Sequence, residues 1–510
     1  MQRKILFATL IVLLTIFTIH SQTVHDSATI QAGAELKGLV LDEGSQAPLP
    51  YTNIFVLHKN VGVISNETGH FSIDISGLDK TDTVRFQYIG FQTRNLTLAE
   101  LDSASLVYLK EDIINLSEIL VFGSEPDPKS IVKKILENKD ANYKKTSSKS
   151  QVFIRERDIA VFKDIHFKLK KSSITQLDKE MIALVEEKIP RQTISYTDFL
   201  GNIYQTKNTD DSVKLKVDPL RAVSLKEKDM SDMEQIADVF EGVFRDIGEE
   251  EYWKVKSGLF SKKLDDDEMG SDTTAVENDT LEEKGRMLKY YARKVNYQLG
   301  YTLMDEKDDW EFLYKTGKYN YTLAGGSRVN GEDVYIIDFT PKSSGNYNGR
   351  LFVAINTYAL IRADYEYAEG KTGRDLHLFG VGYTETHFKG SIYFEKKNDN
   401  YVLKYFSKKA KSSASFDRNV ALIKKKERFL FDKKLNEIKV GIDIALDMES
   451  SIEYLVLEQT EIQEKQFADF EQQERMEVIY VDQFDKNLWK GFDIIEPTEQ
   501  MREYKKHEAK

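Results

Sequence analysis

The chain has 510 residues, which is too long for one hydrophobic core. Of these residues 41% are hydrophobic and 31% are charged, a composition that excludes a disordered protein. Its 84 acidic residues outnumber its 72 basic ones, and the net charge of −12 argues against a nucleic-acid partner. The sequence contains no cysteine, which excludes disulfides and thiolate chemistry.

Residues 1–22 have the pattern of a signal peptide. Arg3 and Lys4 precede an apolar run over 5–19, and small or polar residues come next, around Ser21. An uncleaved membrane anchor is the alternative, but the run is shorter than the roughly 20 residues of a spanning helix. We therefore expect an exported protein, located in the periplasm, in association with the outer membrane or at the cell surface. No cysteine is present to carry a lipid at the N-terminus.

The region 36–123 is predicted to be a β-sandwich. Apolar residues alternate with polar ones at Phe71, Ile73 and Ile75, and again at Val84 and Phe86, as in half-buried strands. Glycine, proline and asparagine separate these runs at the positions of turns.

Several short motifs in this region occur in a familiar order. They are Gly38-x-Val40-x-Asp42, Pro48-Leu49-Pro50, Thr52-Asn53-Ile54, Gly62, Asn66, Gly69-x-Phe71, Tyr88-Ile89-Gly90-Phe91 and the closing segment 115–121. The order resembles the carboxypeptidase regulatory-like domain, whose fold is similar to that of transthyretin (prealbumin) and which is common in exported Gram-negative proteins. The resemblance implies an accessory module without peptidase chemistry. Thr52 stands where a small residue is usual, and Ser65-Asn66 replaces the commoner Thr-Asp.

The absence of catalytic motifs favours a non-enzymatic protein. None of the eight histidines is followed by Glu at the third position, and neither an HExxH helix nor a GxSxG elbow occurs. Gly325-Gly326-Ser327 lacks the lysine of a phosphate-binding loop. A carboxylate pair for hydrolysis cannot be chosen among 84 acidic residues. We therefore name no catalytic, cofactor-binding or metal residue and expect no cofactor.

A connecting helix is predicted over 127–145. Ile131, Val132 and Ile135 recur at helical spacing after Pro128. The segment 127–157 resembles the region behind the regulatory-like domain in a set of exported proteins of unknown function.

The larger region, 150–460, is predicted to be α+β with a curved antiparallel sheet. Strand patterns cover 151–157, 165–169, 333–340, 350–356, 358–367, 384–394, 401–408, 427–431 and 437–446, and Asn398-Asp399-Asn400 forms a tight connection. An acidic insertion at 263–284 is interpreted as mobile and solvated; a calcium loop is the alternative, but its spacing fits no EF-hand. The run 334–367 resembles the half-barrel sheet of periplasmic lipoprotein carriers and sigma-regulator sensors.

Three interpretations of this sheet remain open. Strands that span an outer membrane alternate in the same way, but here both faces carry many Lys, Glu and Asp residues. A half-barrel could instead bind an apolar ligand on a concave aromatic face. In the third interpretation, which we favour, helices cover that face. Residues 461–510 are predicted to form a helical segment with an apolar anchor at Trp489, Phe492 and Ile495.

The sequence as a whole therefore predicts a multi-domain, mainly β protein of the cell envelope. We expect it to bind an envelope protein, a glycan or a lipid without catalysing a reaction. The alternatives are a carrier or sensor of a hydrophobic ligand, using the half-barrel, and a carboxylate-dependent hydrolase. The oligomeric state is not predicted.

Overall fold

The computed structural model describes a mainly β chain that divides into two compact units. The described residues are 34–59, 61–101, 104–113, 126–207, 213–226, 239, 243, 248–258, 260–264, 286–329, 331–429, 431–489, 492 and 494–504. The expected signal peptide (1–22), the closing motif 115–121 and most of the acidic insertion lie outside them. Unit 1 comprises Met1–Tyr88 and Gln92–Lys110, and unit 2 comprises Ile89–Phe91 and Glu111–Lys510.

Unit 1 is a sandwich of two small sheets. Its strands are β1 (Glu35–Asp42), β2 (Asn53–Val56), β3 (Gly62–Ile64), β4 (His70–Asp74), β5 (Thr83–Gln87), β6 (Arg94–Thr97) and β7 (Ala104–Leu109). One sheet has the order β4-β1-β7 and the other β3-β2-β5-β6. Phe71 of the first and Phe86 of the second meet edge to face, with ring centroids 5.5 Å apart. The predicted alternation therefore places these rings in a shared core.

The two departures from the usual motif form one buried polar network. Both Thr52 and Ser65 are fully buried. Thr52 donates its hydroxyl to the carbonyl of Leu49 at 3.0 Å, and the Ser65 hydroxyl accepts from the Thr52 amide at 2.8 Å. Asn66 accepts from the amides of Thr68 and His70. Because every buried polar group here has a partner, the substitutions leave the fold intact.

Unit 2 contains one large sheet and several helices. The remaining strands are β8 (Ser148–Ser172), β9 (Gln192–Lys207), β10 (Val213–Lys226), β11 (Glu251–Ser257), β12 (Phe260–Lys263), β13 (Arg286–Met287), β14 (Tyr319–Val329), β15 (Glu332–Pro341), β16 (Tyr347–Ala354), β17 (Leu360–Tyr367), β18 (Asp375–Leu378), β19 (Val381–Lys397), β20 (Asn400–Lys426), β21 (Lys433–Glu461), β22 (Arg475–Met476) and β23 (Ile479–Val481). The α-helices are α1 (Pro128–Glu137), α2 (Lys139–Asn142), α3 (Lys179–Lys188), α4 (Leu288–Thr302), α5 (Glu311–Tyr314), α6 (Glu464–Asp469) and α7 (Glu499–Glu503).

The sheet order along its main path is β14-β15-β16-β17-β19-β20-β21-β8-β9-β10-β23. The pairs are antiparallel, as predicted, except that β10 and β23 run parallel. The sheet is therefore mixed. Asn398, at the predicted tight connection, has φ of 54°.

The packing of the helices indicates that this sheet is curved. Helix α1 packs against β14, at one edge, and α4 packs against β10, near the other edge. Ile131 of α1, Val295 of α4 and Phe312 of α5 share one continuous core with residues from every strand between β14 and β10. Ten strands laid flat would be roughly 45 Å wide, too wide for three short helices to cover. The sheet therefore wraps around them as a half-barrel.

Helix α1 begins where the sequence predicts. The Asp127 side chain accepts hydrogen bonds from the amides of Lys129 and Ser130, and Pro128 occupies the first turn. Its apolar residues Ile131, Val132 and Ile135 are buried.

The β20–β21 hairpin extends well beyond the half-barrel. Strand β19 begins at Val381, which pairs with Phe416 of β20. Beyond that pair, β11 takes the place of β19 and pairs with 420–426 of β20. We call this extension, residues 417–443 with β11, β12 and α3, the distal arm. Its small core contains Trp253, Ile438 and Ile182.

Several predicted elements differ from the structure. The helix predicted over 127–145 is two helices, α1 and α2, and α2 ends at Asn142. The strand predicted at 427–431 is wrong, because β20 and β21 stop pairing at Lys426 and Lys433 and these residues form the connection. The two strands predicted within 151–169 are one 25-residue strand, β8. In the C-terminal anchor, Trp489 and Ile495 are buried, whereas Phe492 stays 37% exposed.

Candidate functional site

The concave face of the half-barrel is filled over most of its width by aromatic side chains. Trp310 and Phe312 are fully buried, and Phe312 stacks on Phe339 with ring centroids 4.5 Å apart. The hydroxyls of Tyr301 and Tyr365 hydrogen-bond to each other within this core. Burial raises the pKa of both tyrosines, so both stay neutral. This part of the sheet is covered, as the third interpretation expects.

One end of the concave face remains open as a cleft of about 510 Å³. This volume lies within the range of pockets that bind one small ligand. The residues that line it come from α2 and the segment after it, the ends of β8 and β9, the start of β10, the C-terminal end of α4, and the β19–β20 and β21 strands. The cleft is thus assembled from residues that are far apart in the sequence.

The floor of the cleft is apolar. Its side chains include Tyr143, Leu299, Met304, Phe394, Tyr401, Leu403, Tyr454 and Val456. Tyr143 packs against Phe394 with ring centroids 4.8 Å apart, and lies 6.1 Å from the Tyr401 ring. These three rings form an aromatic corner that could take hydrocarbon or a ring of a ligand.

Two tyrosine hydroxyls of the aromatic corner are bonded to protein groups. Tyr143 donates to the carbonyl of Leu360 at 2.8 Å, and Tyr401 donates to Glu332 Oε1 at 2.6 Å. Burial raises the pKa of Tyr143 well above its usual value, and burial with the Glu332 hydrogen bond raises the pKa of Tyr401. Because both phenols stay neutral and engaged, the corner offers rings rather than charge to a ligand.

The rim of the cleft is polar, and its described residues carry more positive than negative charge. Its charged residues are Lys139, Lys144, Lys145 and Lys207 against Asp140 and Asp305. Lys139 forms an ion pair with Asp305. The Lys144 amide and carbonyl both bond to the Asn400 side chain, at 2.8 Å and 3.1 Å, which fixes the backbone at the rim. The Lys144 side chain itself is exposed.

Asp198 and Glu311 are two of the most buried carboxylates of unit 2, and both bind structural partners. Asp198 accepts two hydrogen bonds from Arg155, at 2.8 Å and 2.7 Å, and both side chains are at least 95% buried. Glu311 accepts from Lys318 at 2.8 Å and from Tyr319 at 2.9 Å. A carboxylate committed to a structural cation is not free for acid–base work on a ligand.

Asp309 and Lys408 are ionisable residues beside the aromatic core, and burial shifts the pKa of each. Burial raises the pKa of Asp309, and Lys408 opposes part of that rise. Burial lowers the pKa of Lys408, whose Nζ lies 4.5 Å from the centre of the Tyr301 ring. Groups shifted in this way are common at functional sites and also in structural networks.

Two features are absent from the described residues. Within those ranges, no group of three or more Asp, Glu or His side chains is placed to hold a metal ion. Across the same residues, no helix is both long and apolar enough to cross a bilayer.

No site residue was predicted from the sequence, and the cleft was not identified there. The only local signal was the helix ending at Asn142-Tyr143 with Lys144-Lys145 directly after it, a ring and two cations side by side. The other floor residues obey ordinary strand alternation, which marks buried residues without separating core from cleft.

Comparison with protein families confirms the resemblance of the front region. Residues 36–121 match the family model of the CarboxypepD_reg-like domain. No curated protein matches the chain.

Solved structures share only distant likeness with this chain. The MucA/MucB complex of Pseudomonas aeruginosa is 10% identical over 62% of this chain and 94% of the other, with a TM-score of 0.18. A putative outer membrane lipoprotein-sorting protein domain from Vibrio parahaemolyticus is 9% identical over 67% and 97%, with a TM-score of 0.18. A DUF1329 family protein from Desulfovibrio piger is 12% identical over 63% and 92%, with a TM-score of 0.17. Scores this low do not assign the chain to any of these groups.

Proposed function

We propose that this chain is a non-catalytic protein of the cell envelope that binds an amphiphilic ligand, of the lipid class, in the cleft of its half-barrel. A location in the cell envelope is supported by the signal-peptide pattern of residues 1–22 and by the front module, which is of a type common in exported proteins.

One observation carries the proposal: the cleft joins an apolar aromatic floor to a basic rim. A hydrocarbon part would lie on Tyr143, Leu403 and Val456, where contact with water is lost on binding. An anionic group would then lie near Lys144. The rest of the concave face is filled by Trp310, Phe312 and their neighbours, so the ligand is confined to this end.

Binding of a fluorescent fatty acid tests the proposal directly. The probe is 11-(dansylamino)undecanoic acid, which combines a carboxylate with an apolar chain and brightens in an apolar site. We expect saturable emission with the unmodified protein and its loss in Leu403→Trp, because the indole would occupy the floor. Val161→Trp, at an exposed position of β8 within the same sheet, is the matched control and should bind normally.

The contribution of the rim needs a charge variant of its own. Lys144→Glu should weaken binding by about three- to ten-fold, whereas Lys168→Glu, on an exposed part of β8, should leave it unchanged. Equal binding by Leu403→Trp and the unmodified protein would contradict the proposal.

A hydrolase is the second candidate, and Asp309 is the residue that favours it. A carboxyl group whose pKa burial raises can act as a general acid, and Glu385 contributes to that rise. Turnover of a glycan or peptide library that disappears in Asp309→Asn would support this candidate. Turnover that persists in Asp309→Asn would assign the acid to another carboxylate and would contradict a non-catalytic function. No turnover by the unmodified protein would leave binding as the function.

A further inference from the structure

The connection between β20 and β21 carries two of the most exposed aromatic side chains among the described residues. Phe429 is 101% exposed and Phe431 is 86% exposed. The strand ladder ends at the pairs Lys425–Lys434 and Lys426–Lys433, so the two rings project from the end of a hairpin. We call residues 424–434 the arm tip. Phenyl rings placed in water lose the free energy of burial, and no packing within the described chain offsets that loss.

Basic residues surround these rings. The sequence of the arm tip, KKKERFLFDKK, contains six basic and two acidic residues. This local excess runs against the net charge of −12 for the whole chain. At physiological salt, attraction acts over only about 8 Å, so the local charge decides what the tip attracts.

Both acidic groups of the arm tip are bound to the neighbouring hairpin of β11 and β12. Lys263 pairs with Glu427 at 2.6 Å, and the Tyr252 hydroxyl donates to Asp432 at 2.5 Å. The hydrogen bond from Tyr252 holds the pKa of Asp432 below its usual value. These contacts fix both ends of the connection. Lys263 offsets the charge of Glu427, and Lys425, 4.0 Å from Asp432, offsets the other carboxylate.

The remaining cations are available to a partner. Within the described part of the chain, the side chains of Lys426, Arg428 and Lys433 form no ion pair. The tip therefore presents two phenyl rings next to several unneutralised cations.

We propose that the arm tip docks onto an anionic lipid membrane. Phe429 and Phe431 would enter the boundary between headgroups and acyl chains, where aromatic rings are stable, and Lys426, Arg428 and Lys433 would lie among lipid phosphates. Lipid fits both features at once, because a bilayer surface offers an apolar layer directly beneath a layer of negative charge. This surface is separate from the cleft, which lies at the opposite end of the same hairpin.

Flotation of the full chain with lipid vesicles tests this proposal. One set of vesicles contains phosphatidylcholine with about one-third phosphatidylglycerol, and the other contains phosphatidylcholine alone. We expect binding to the anionic vesicles that weakens as salt rises. The double variant Phe429→Ser with Phe431→Ser, and the double variant Lys426→Glu with Lys433→Glu, should each bind about ten-fold or more weakly. All variants share the same N-terminus, so its contribution cancels.

Phe379→Ser is the matched control. Phe379 is also an exposed phenylalanine at a hairpin end, 66% exposed between β18 and β19, but its strand neighbours are not a basic cluster. It should bind vesicles like the unmodified protein, and so should the cleft variant Leu403→Trp. Binding lost in Leu403→Trp and kept in the tip variants would assign the lipid to the cleft and overturn the docking proposal.

Three other outcomes would also overturn it. The first is equal binding to both kinds of vesicle, and the second is no binding to either. The third is self-association in analytical ultracentrifugation that the phenylalanine variants abolish, which would make a second copy of the chain the partner. Circular dichroism of the tip variants should match that of the unmodified protein, because the changed side chains lie outside both cores.

Discussion

Strands β20 and β21 run through both the half-barrel and the distal arm, but their side chains are buried very differently in the two regions. In the half-barrel, Phe406 of β20 and Tyr454 of β21 stack with ring centroids 5.1 Å apart within one core that extends across ten strands. In the distal arm, a small core is gathered around Trp253 and Ile438. Alternation along a strand thus sets which side chains face inward, whereas the element lying on that face determines how much each contributes to stability.

The largest effect is expected at the buried ion pair of the half-barrel. Asp198→Ala leaves the Arg155 guanidinium buried without its carboxylate, which should lower the free energy of unfolding by about 3–5 kcal/mol. Urea denaturation followed by tryptophan fluorescence measures it. Asp447→Ala, which breaks the exposed pair with Lys163, is the control and should cost less than about 1 kcal/mol. Similar costs for the two variants would contradict this distinction.

A matched pair of core substitutions compares the two regions directly. Ile337→Ala, within the half-barrel core, should cost about 4 kcal/mol, and Ile438→Ala, within the distal arm, about 2 kcal/mol. A small core at the end of a hairpin can collapse around the missing methyl groups more readily than a core enclosed from edge to edge. Urea midpoints of the two variants test this, and a larger cost for Ile438→Ala would reverse the ranking of the regions.

The pH dependence of the distal arm should reflect Tyr252. Its hydrogen bond to Asp432 raises the pKa of the phenol to about 12. A raised pKa means that the stabilisation is complete below the unfolded value of 10.0 and is lost as pH rises towards about 12. Tyr252→Phe should thus be less stable than the unmodified protein by under about 1 kcal/mol near neutral pH, a gap that closes in alkali.

Spectroscopic titration of tyrosine near 295 nm checks the assignment, because Tyr252→Phe should lack one group that ionises near pH 12. A gap in stability that stays constant between neutral and alkaline pH would show that the hydrogen bond does not control it.

The smallest effect is expected at the arm tip. Phe431→Ser should change the free energy of unfolding by no more than about 0.5 kcal/mol, since the ring is 86% exposed. Thermal unfolding measures it. A clear loss of stability would mean that Phe431 packs against the protein in solution.

Much of the fold was predictable from local patterns, and the site was not. Alternation located β15 and β19, and helical spacing with Pro128 located α1, because these signals depend on neighbouring residues alone. Phe429 and Phe431 alternate with their neighbours in the same way, yet they form no strand, because β20 and β21 had already ended their pairing. Pairing partners are distant in sequence, so a local pattern does not contain them.

The cleft illustrates the same limit. Tyr143, Leu403 and Val456 meet because a helix end and two strands converge at one end of the half-barrel. Each residue alone has the pattern of a core residue, and the open cleft above the three residues is what distinguishes them from the core.

The unbroken length of β20 and β21 sets how far apart two surfaces are held. The strands run for 27 and 29 residues, and at about 3.3 Å per residue the hairpin separates Leu403 in the cleft from Lys426 at its tip by up to roughly 75 Å. A protein docked through that tip would hold its cleft far above the bilayer. A ligand in the cleft would then lie too far from that bilayer to exchange directly with its lipid.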